Sequence, residues 1–259
     1  MSLFLASLPL WLSGFLIVIV PTALAMTGPI LVRRRWALER LTTNNEIAGF
    51  KFATVGVIYA VLLAFAIIIA WERFADAESA VVQESGASAT LYRLLAGPDP
   101  DATATRAALT HYLELAIASD WPQMQGEKES GDVTGALTQL YAAAVKVAQN
   151  ADRQPAVLVE MFRQLDSLTQ ARRARLHLAS GIVPGMLWFV LVCGGCLTVA
   201  FTFFFGTRNL RAQVLMTGTL AVIVFMGLFV IVSINHPFTG PVHISPEPIE
   251  GILADFGHR

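Results

Sequence analysis

Four long apolar runs frame the chain, from Leu3 to Val32, Phe52 to Trp71, Gly181 to Thr207 and Ala212 to Ile234. The second is the most sharply bounded. Lys51 and Glu72 enclose twenty residues without a charge. Their separation along a helix is about 31 Å, which matches the ~30 Å hydrocarbon thickness of a bilayer. Lipid solvates neither ions nor unpaired backbone groups, so charged ends around an apolar middle predict a membrane-spanning helix. Small residues recur along it at Gly49, Ala53, Gly56, Ala60 and Ala64, while the bulky Tyr59, Leu63 and Ile67 lie on another face. At helical spacing the small residues form a thin ridge that admits close approach of another helix.

The first run carries Pro9, Pro21 and Pro29, and Arg33-Arg34-Arg35 sets its end near Val32. It lacks a basic leading segment and is too long for a cleavable signal, so it reads as a retained anchor. Trp11 suits a membrane interface.

Between the second and third runs the period is helical. Phe74, Ala77, Val81, Ser85 and Ser88 continue one face of the second span as far as Leu95, where Gly97-Pro98-Asp99-Pro100 breaks it. Asp99 followed by Pro100 predicts an N-cap and a first-turn proline. Leu109, Tyr112, Leu113 and Ala116 then form a stripe that Trp121-Pro122 is expected to stop, with a loop over 123–131. Asp132 is expected to cap a third helix through Val133, Leu137, Leu140, Tyr141, Ala144 and Ala148. Residues 150–154 form a joint, and Pro155 opens a fourth helix with Leu158, Met161, Phe162, Leu165, Leu168 and Ala171, running through Leu176 into the third span. After the fourth span, Pro237, Pro241, Pro246 and Pro248 predict an extended or turning strap.

The expected fold is an all-α integral membrane protein. Residues 1–71 hold the first two spans and a basic connection, 72–180 a soluble helical bundle, 181–234 the other two spans, and 235–259 the strap. Spans two and three are expected to continue into the bundle as antiparallel helices.

Composition agrees: 55% of residues are hydrophobic, 14% are charged and mean hydropathy is +0.59. A net charge of −1 gives no electrostatic footprint for nucleic acid. Arg33, Arg34, Arg35, Arg40, Lys51, Arg208 and Arg211 lie on one side of the expected spans, against Arg73, Arg172, Arg173 and Arg175 on the other. That count favours both termini and the bundle outside.

The chain carries no metal-binding, phosphate-loop or nucleophile motif, and catalysis is not expected. Cys193-Gly194-Gly195-Cys196 has redox spacing but lies within an apolar run, where cysteine behaves as a small hydrophobe. Two ligands make no zinc site. The histidines are dispersed. His236 and His243 flank a proline turn, where hydrogen bonding or solvation is favoured over a metal, and no cofactor is expected.

Asn44-Asn45-Glu46-Ile47-Ala48-Gly49-Phe50 before the second run, Trp71-Glu72-Arg73 after it and Pro237-Phe238-Thr239-Gly240 in the tail resemble a bacterial membrane family described as bestrophin-like. The resemblance extends over nearly the whole chain. True bestrophins are pentameric anion channels whose second span lines the pore, with an Asn-Pro-Phe-Gly stretch after the last span. Asn235-His236-Pro237-Phe238-Thr239-Gly240 is similar but contains His236 and Thr239 as additions. No clear counterpart of the animal members' acidic calcium clasp is present. The resemblance implies a homo-oligomer, a pentamer above all, in a bacterial inner membrane. It also implies a cytoplasmic insert, opposite to the charge count.

Two functions follow as expectations. In an ion channel, most plausibly for anions, the second span lines the path. Phe65, Ile68 and Ile69 then form an apolar gate, with Glu72 among the gate candidates. Asn44, Asn45, Glu46, Lys51 and Arg73 stand at the mouths, and His236, Pro237 and Phe238 in the strap. Lys51 and Arg73 favour anions there, while Glu46 and Glu72 oppose them. In a membrane-anchored sensor or scaffold, the bundle binds a ligand or partner through residues 121–131 and the tail. The first arrangement packs the small-residue ridge around an axis; the second buries it against another span of the same protomer.

Overall fold

The computed structural model describes residues 7–149, 154–181 and 183–257. The expected joint at 150–153 lies outside the described residues. Where described, the regular structure is helical, as read from the sequence. Among the described residues, four helices are long and apolar enough to cross a membrane: α1 (Leu10–Arg35), part of α3 (Asn45–Leu94), the helix Gly185–Phe204, and Leu210–Ile234. A short helix, α2 (Leu38–Thr42), connects α1 and α3.

Two compact units are built from these elements. One comprises residues up to Glu72, Gly181–His236 and Gly240–Val242; the other comprises Arg73–Ser180, Pro237–Thr239 and the remainder of the tail.

In the membrane unit α1 packs along the fourth span. A wide π-turn, Phe15–Ile19, interrupts α1 just before Pro21. Proline lacks an N–H and crowds the carbonyl four residues earlier, here Ile17, and the wider turn accommodates both. The second insert helix repeats the device. After α4 (Pro100–Leu115), a π-turn at Ala116–Asp120 leads into α5 (Trp121–Met124), with Pro122 in its first turn. Trp121-Pro122 therefore does not stop this helix, contrary to expectation.

Asp99 caps α4, its side chain accepting from the Asp101 backbone N–H at 3.0 Å. α6 (Gly131–Gln149) begins before Asp132, which is thus a first-turn acid rather than the cap. There it still favours the positive helix N-terminus. α7 (Pro155–Leu178) opens on its proline. Leu91, Leu109, Leu113, Leu140, Leu165 and Leu168 are fully buried in one core, the stripes of α3, α4, α6 and α7 facing inwards.

The third span does not continue from the insert. α7 ends at Leu178, and α8 (Gly185–Phe201) starts afresh after Pro184. A residue before proline is disfavoured in the helical region. The break is held by the Asn235 side chain, whose Oδ1 accepts from the Val183 N–H at 2.9 Å.

The tail departs from a simple strap. Beyond the fourth span, α9 (Leu210–Ile234), residues 235–245 turn without a helix, but α10 (Glu247–Gly257) is helical. Pro248 occupies its first turn, where no intrahelical donor is missed. Ile249 is buried, and Phe256 stacks on Tyr92 with ring centroids 3.7 Å apart.

The connection from α8 to α9 is pinned from three directions. Asn45 and Gly206 exchange two hydrogen bonds, Asn45 Nδ2 to the Gly206 carbonyl at 2.6 Å and the Gly206 N–H to Asn45 Oδ1 at 3.0 Å. Arg33 donates to the Thr207 carbonyl, and buried Gln213 donates to the Phe205 carbonyl. A Cβ at Gly206 would lie 2.7 Å from Thr42 N and 2.8 Å from Leu41 C. Backbone cannot swing aside as a side chain can. Gly206→Ala is therefore expected to lower stability by about 1–3 kcal/mol, as overpacking does. Thermal unfolding of the purified protein checks this, with Gly185→Ala, at the first position of a helix and meeting nothing within 4 Å, as the control expected to lose no stability.

Candidate conduction surface and buried charge network

The two faces of α3 differ in what covers them. Tyr59, Ala66 and Ala70 are buried. Tyr59 enters the third span at Gly194 and Gly195, where added Cβ atoms would come within 2.9 and 2.7 Å of its side chain, and its hydroxyl donates to the Leu191 carbonyl at 3.2 Å. The glycines between Cys193 and Cys196 thus make room for an aromatic ring, and both cysteines are free thiols.

The opposite half of α3 is bare within the protomer. Phe65, Ile68 and Ile69 are 60%, 51% and 44% exposed, and Glu72 is exposed with them. Only 11% of this span's most apolar window is buried, against 39% for the fourth span. The small-residue ridge is bare too. Ala53, Ala60 and Ala64 are exposed, and a Cβ at Gly56 would touch nothing within 4 Å.

At one end of the span, Asn44, Glu46 and Lys51 are exposed while Asn45 is engaged with Gly206; at the other, Arg73 is exposed. The structure brings the gate candidates onto one half of one helix and leaves the mouth candidates at the two ends of its uncharged stretch. His236 and Phe238 are instead buried. His236 lies against Gly181, with Cε1 3.0 Å from where a Cβ would stand. The Pro237 carbonyl accepts from the Ile244 N–H at 2.7 Å, and Phe238 packs edge-on against Trp121 at 5.9 Å. Among the described residues no cluster of His, Cys, Asp and Glu forms a metal site.

A second set of residues was not legible in the pattern. Arg175 is fully buried, its Nε 2.6 Å from Glu84 Oε2 and its Nη2 3.0 Å from Glu84 Oε1. The same Nη2 reaches Asp120 Oδ2 at 3.4 Å. Asp120 in turn holds Arg172, with Nε to Oδ2 at 2.9 Å and Nη2 to Oδ1 at 3.2 Å, and accepts from the Ser130 N–H at 3.0 Å. Tyr112 donates to Glu84 Oε1 at 2.5 Å. The Arg175 guanidinium also lies over the Trp121 ring, 4.5 Å from its centroid, in cation–π contact.

Two positive and two negative groups thus close a neutral network inside the insert. Burial disfavours the Arg175 charge, but Glu84, Tyr112 and Asp120 outweigh it and hold the guanidinium above its usual range. Burial, reinforced by the Glu84 charge, raises the Tyr112 phenol well above its ordinary value. The folded insert therefore keeps Tyr112 neutral, and this contribution to stability is complete until the unfolded tyrosine ionises near pH 10, then falls as pH rises.

The placement corrects the charge count used for orientation. Arg172 and Arg175 neutralise buried carboxylates rather than flanking a membrane, whereas Arg173 is exposed. A possible signal was the spacing: Arg172 and Arg175 fall on the same face as Leu165 and Leu168, where an unpaired charge is not tolerated.

Comparison with known proteins follows the same architecture. A bestrophin-like domain model matches residues 19–249. A bacterial bestrophin homologue from Klebsiella pneumoniae, solved by zinc phasing, superposes with a TM-score of 0.73 at 15% identity, covering 93% of this chain and 98% of its own. Two single-residue variants of a Klebsiella homologue give 0.73 at 16% identity and 0.74 at 15%, each covering 93% of this chain and 99% and 97% of their own. No curated protein matches the chain in sequence. The apolar spans and the match over most of the sequence place it among membrane proteins, and the chain belongs to the bestrophin-like family.

Proposed function

We propose that the protein is an oligomeric channel for small inorganic ions, anions above all, with α3 lining the path. The observation that carries this reading is the bare half of α3. An apolar helix face with a ridge of small residues, uncovered within its own protomer, is suited to packing around an axis with further copies. A sensor that buries this ridge against its own spans is disfavoured by the open space at Gly56.

In a ring each side chain is repeated in every subunit, and apolar constrictions gate by dewetting. Phe65, Ile68 and Ile69 suit that role, with Glu72 and Arg73 at one mouth and Asn44, Glu46 and Lys51 at the other. Family membership supports a pentamer in a bacterial inner membrane.

Mass photometry of detergent-purified protein tests the assembly. The wild type is expected as a ring of several copies, and Gly56→Leu, which adds bulk only outside the protomer, is expected to shift the population to smaller species. A wild-type monomer or closed dimer would overturn the proposal.

A further inference from the structure

Seven cations cluster at one end of the spans: Arg33, Arg34, Arg35, Arg40 and Lys51 around the α1–α3 connection, Arg208 and Arg211 around the α8–α9 connection. The fold joins these two connections into one surface. Arg33 donates to the Thr207 carbonyl, Asn45 and Gly206 exchange two hydrogen bonds, and Gly206 lies against Leu41 and Thr42. All the cations except the half-buried Arg33 are exposed there, and Glu39 and Glu46 are the acids among them. Trp36 and Phe204, 50% and 51% exposed, meet edge-on at 6.1 Å beside this surface. Exposed aromatic rings beside span ends mark a membrane–water interface.

The other span ends are poor in cations. Within about 20 positions of them, the described residues offer only Arg73 and Arg173 as exposed basic groups. Arg172 and Arg175 are neutralised by Asp120 and Glu84 inside the insert. The bias is thus seven against two, where the sequence alone counts seven against four. The insert, from Arg73 to Ser180, is long enough to cross the membrane as a domain largely regardless of its own charge.

We propose that this basic surface lies against the anionic inner leaflet, facing the cytoplasm, and that the insert and the tail are therefore extracytoplasmic. Anionic lipids of the cytoplasmic leaflet attract clusters of Lys and Arg beside a span. The insert begins at Arg73, past the opposite end of the uncharged stretch of α3, so the crossing puts it on the other side. This orientation reverses the cytoplasmic insert that the resemblance to true bestrophins implies. At 15% identity the solved homologue shares the fold. A fold enters a bilayer in either direction, and the charge of short connections decides which. The orientation stands whether or not α3 lines a path. Solutes and proteins that act on the insert are then those outside the cytoplasm, and the Lys51 end of α3 faces inward.

The test is labelling of the full-length protein in right-side-out bacterial spheroplasts with a membrane-impermeant maleimide. Cys193→Ala and Cys196→Ala remove the native thiols, and Glu129→Cys in the insert or Thr43→Cys in the basic connection adds one at an exposed position. Glu129→Cys is expected to label in intact spheroplasts, and Thr43→Cys about tenfold less until they are lysed. Should these variants fail to fold, alkaline phosphatase fused after the wild-type tail is expected to be active, because its disulfides form only outside the cytoplasm. Arg34→Gln, Arg35→Gln, Arg208→Gln and Arg211→Gln together leave three cations against two, and are expected to raise labelling of Thr43→Cys in intact spheroplasts severalfold. Labelling of the insert only after lysis, equal labelling of both positions, an inactive phosphatase fusion, or unchanged sidedness in the charge variant would overturn the proposal.

Discussion

Replacing Arg175 with methionine is expected to destabilise the helical insert by about 3–5 kcal/mol. The substitution leaves Glu84, which is fully buried, with Tyr112 as its remaining side-chain donor, and takes one of two arginines from Asp120. An uncompensated carboxylate in a low-dielectric interior is the costliest defect a core can carry. Thermal unfolding in detergent is expected to show an apparent melting temperature lower by roughly 10 °C.

The double variant Glu84→Leu with Arg175→Met removes both charges and is expected to recover much of the loss, because a buried pair is worth little more than apolar residues of similar volume. Asp120 keeps its bidentate partner Arg172 in that variant. If the double variant is as unstable as the single one, packing of the guanidinium against Trp121 and Met124, rather than charge compensation, dominates. The surface pair Arg163–Glu160, 2.7 Å apart, provides the contrast. The hydrogen bonds from Arg163 and Gln164 lower the Glu160 carboxyl to about 2, yet the pair stands in water, and Glu160→Gln is expected to leave the melting temperature unchanged.

Phe65→Ala is expected to have the largest effect on conduction. Its ring is 60% exposed on the bare half of α3, so the protomer loses little packing when it is shortened. If the residue rings an apolar constriction, each subunit of the assembly withdraws a phenyl group, and the wider, wetter path conducts severalfold more. Single-channel recording in planar bilayers reads this directly, with Leu215→Ala, exposed on the fourth span, as the control. Unchanged conductance in Phe65→Ala and Ile68→Ala alike would remove α3 from the path. In the same recordings Glu72→Gln is expected to move the reversal potential towards anion selectivity, because a ring of negative charge no longer opposes anions at that mouth.

Hydrophobic pattern carried much of the fold. The uncharged stretch bounded by Lys51 and Glu72, the continued face through Ala77 and Val81, and the proline start at Pro155 all correspond to helices found. These features are local: each depends on spacing along one helix or on the chemistry of one turn. The two misread prolines show the limit of that logic. Pro122 is carried inside a helix by a π-turn, and Pro248 sits in the first turn of one, positions distinguished by the fate of nearby carbonyls rather than by the residue itself.

The candidate gate was legible because Phe65, Ile68, Ile69 and Glu72 lie within two turns of one helix. The charge network was not. Glu84, Asp120 and Arg175 are separated by 36 and 55 positions, and nothing along the chain marks them as partners.

By itself, then, the sequence determined the four spans, the helical character of the insert and the two sides of the second span, since lipid and backbone geometry dictate these one helix at a time. Tertiary structure alone decided which side of that span the protomer covers. It placed Tyr59 in the glycine gap of the third span, left the small-residue ridge bare, and joined Arg172 and Arg175 to distant carboxylates. Those outcomes depend on which helices meet in space, and charge compensation and close packing act only after they have met.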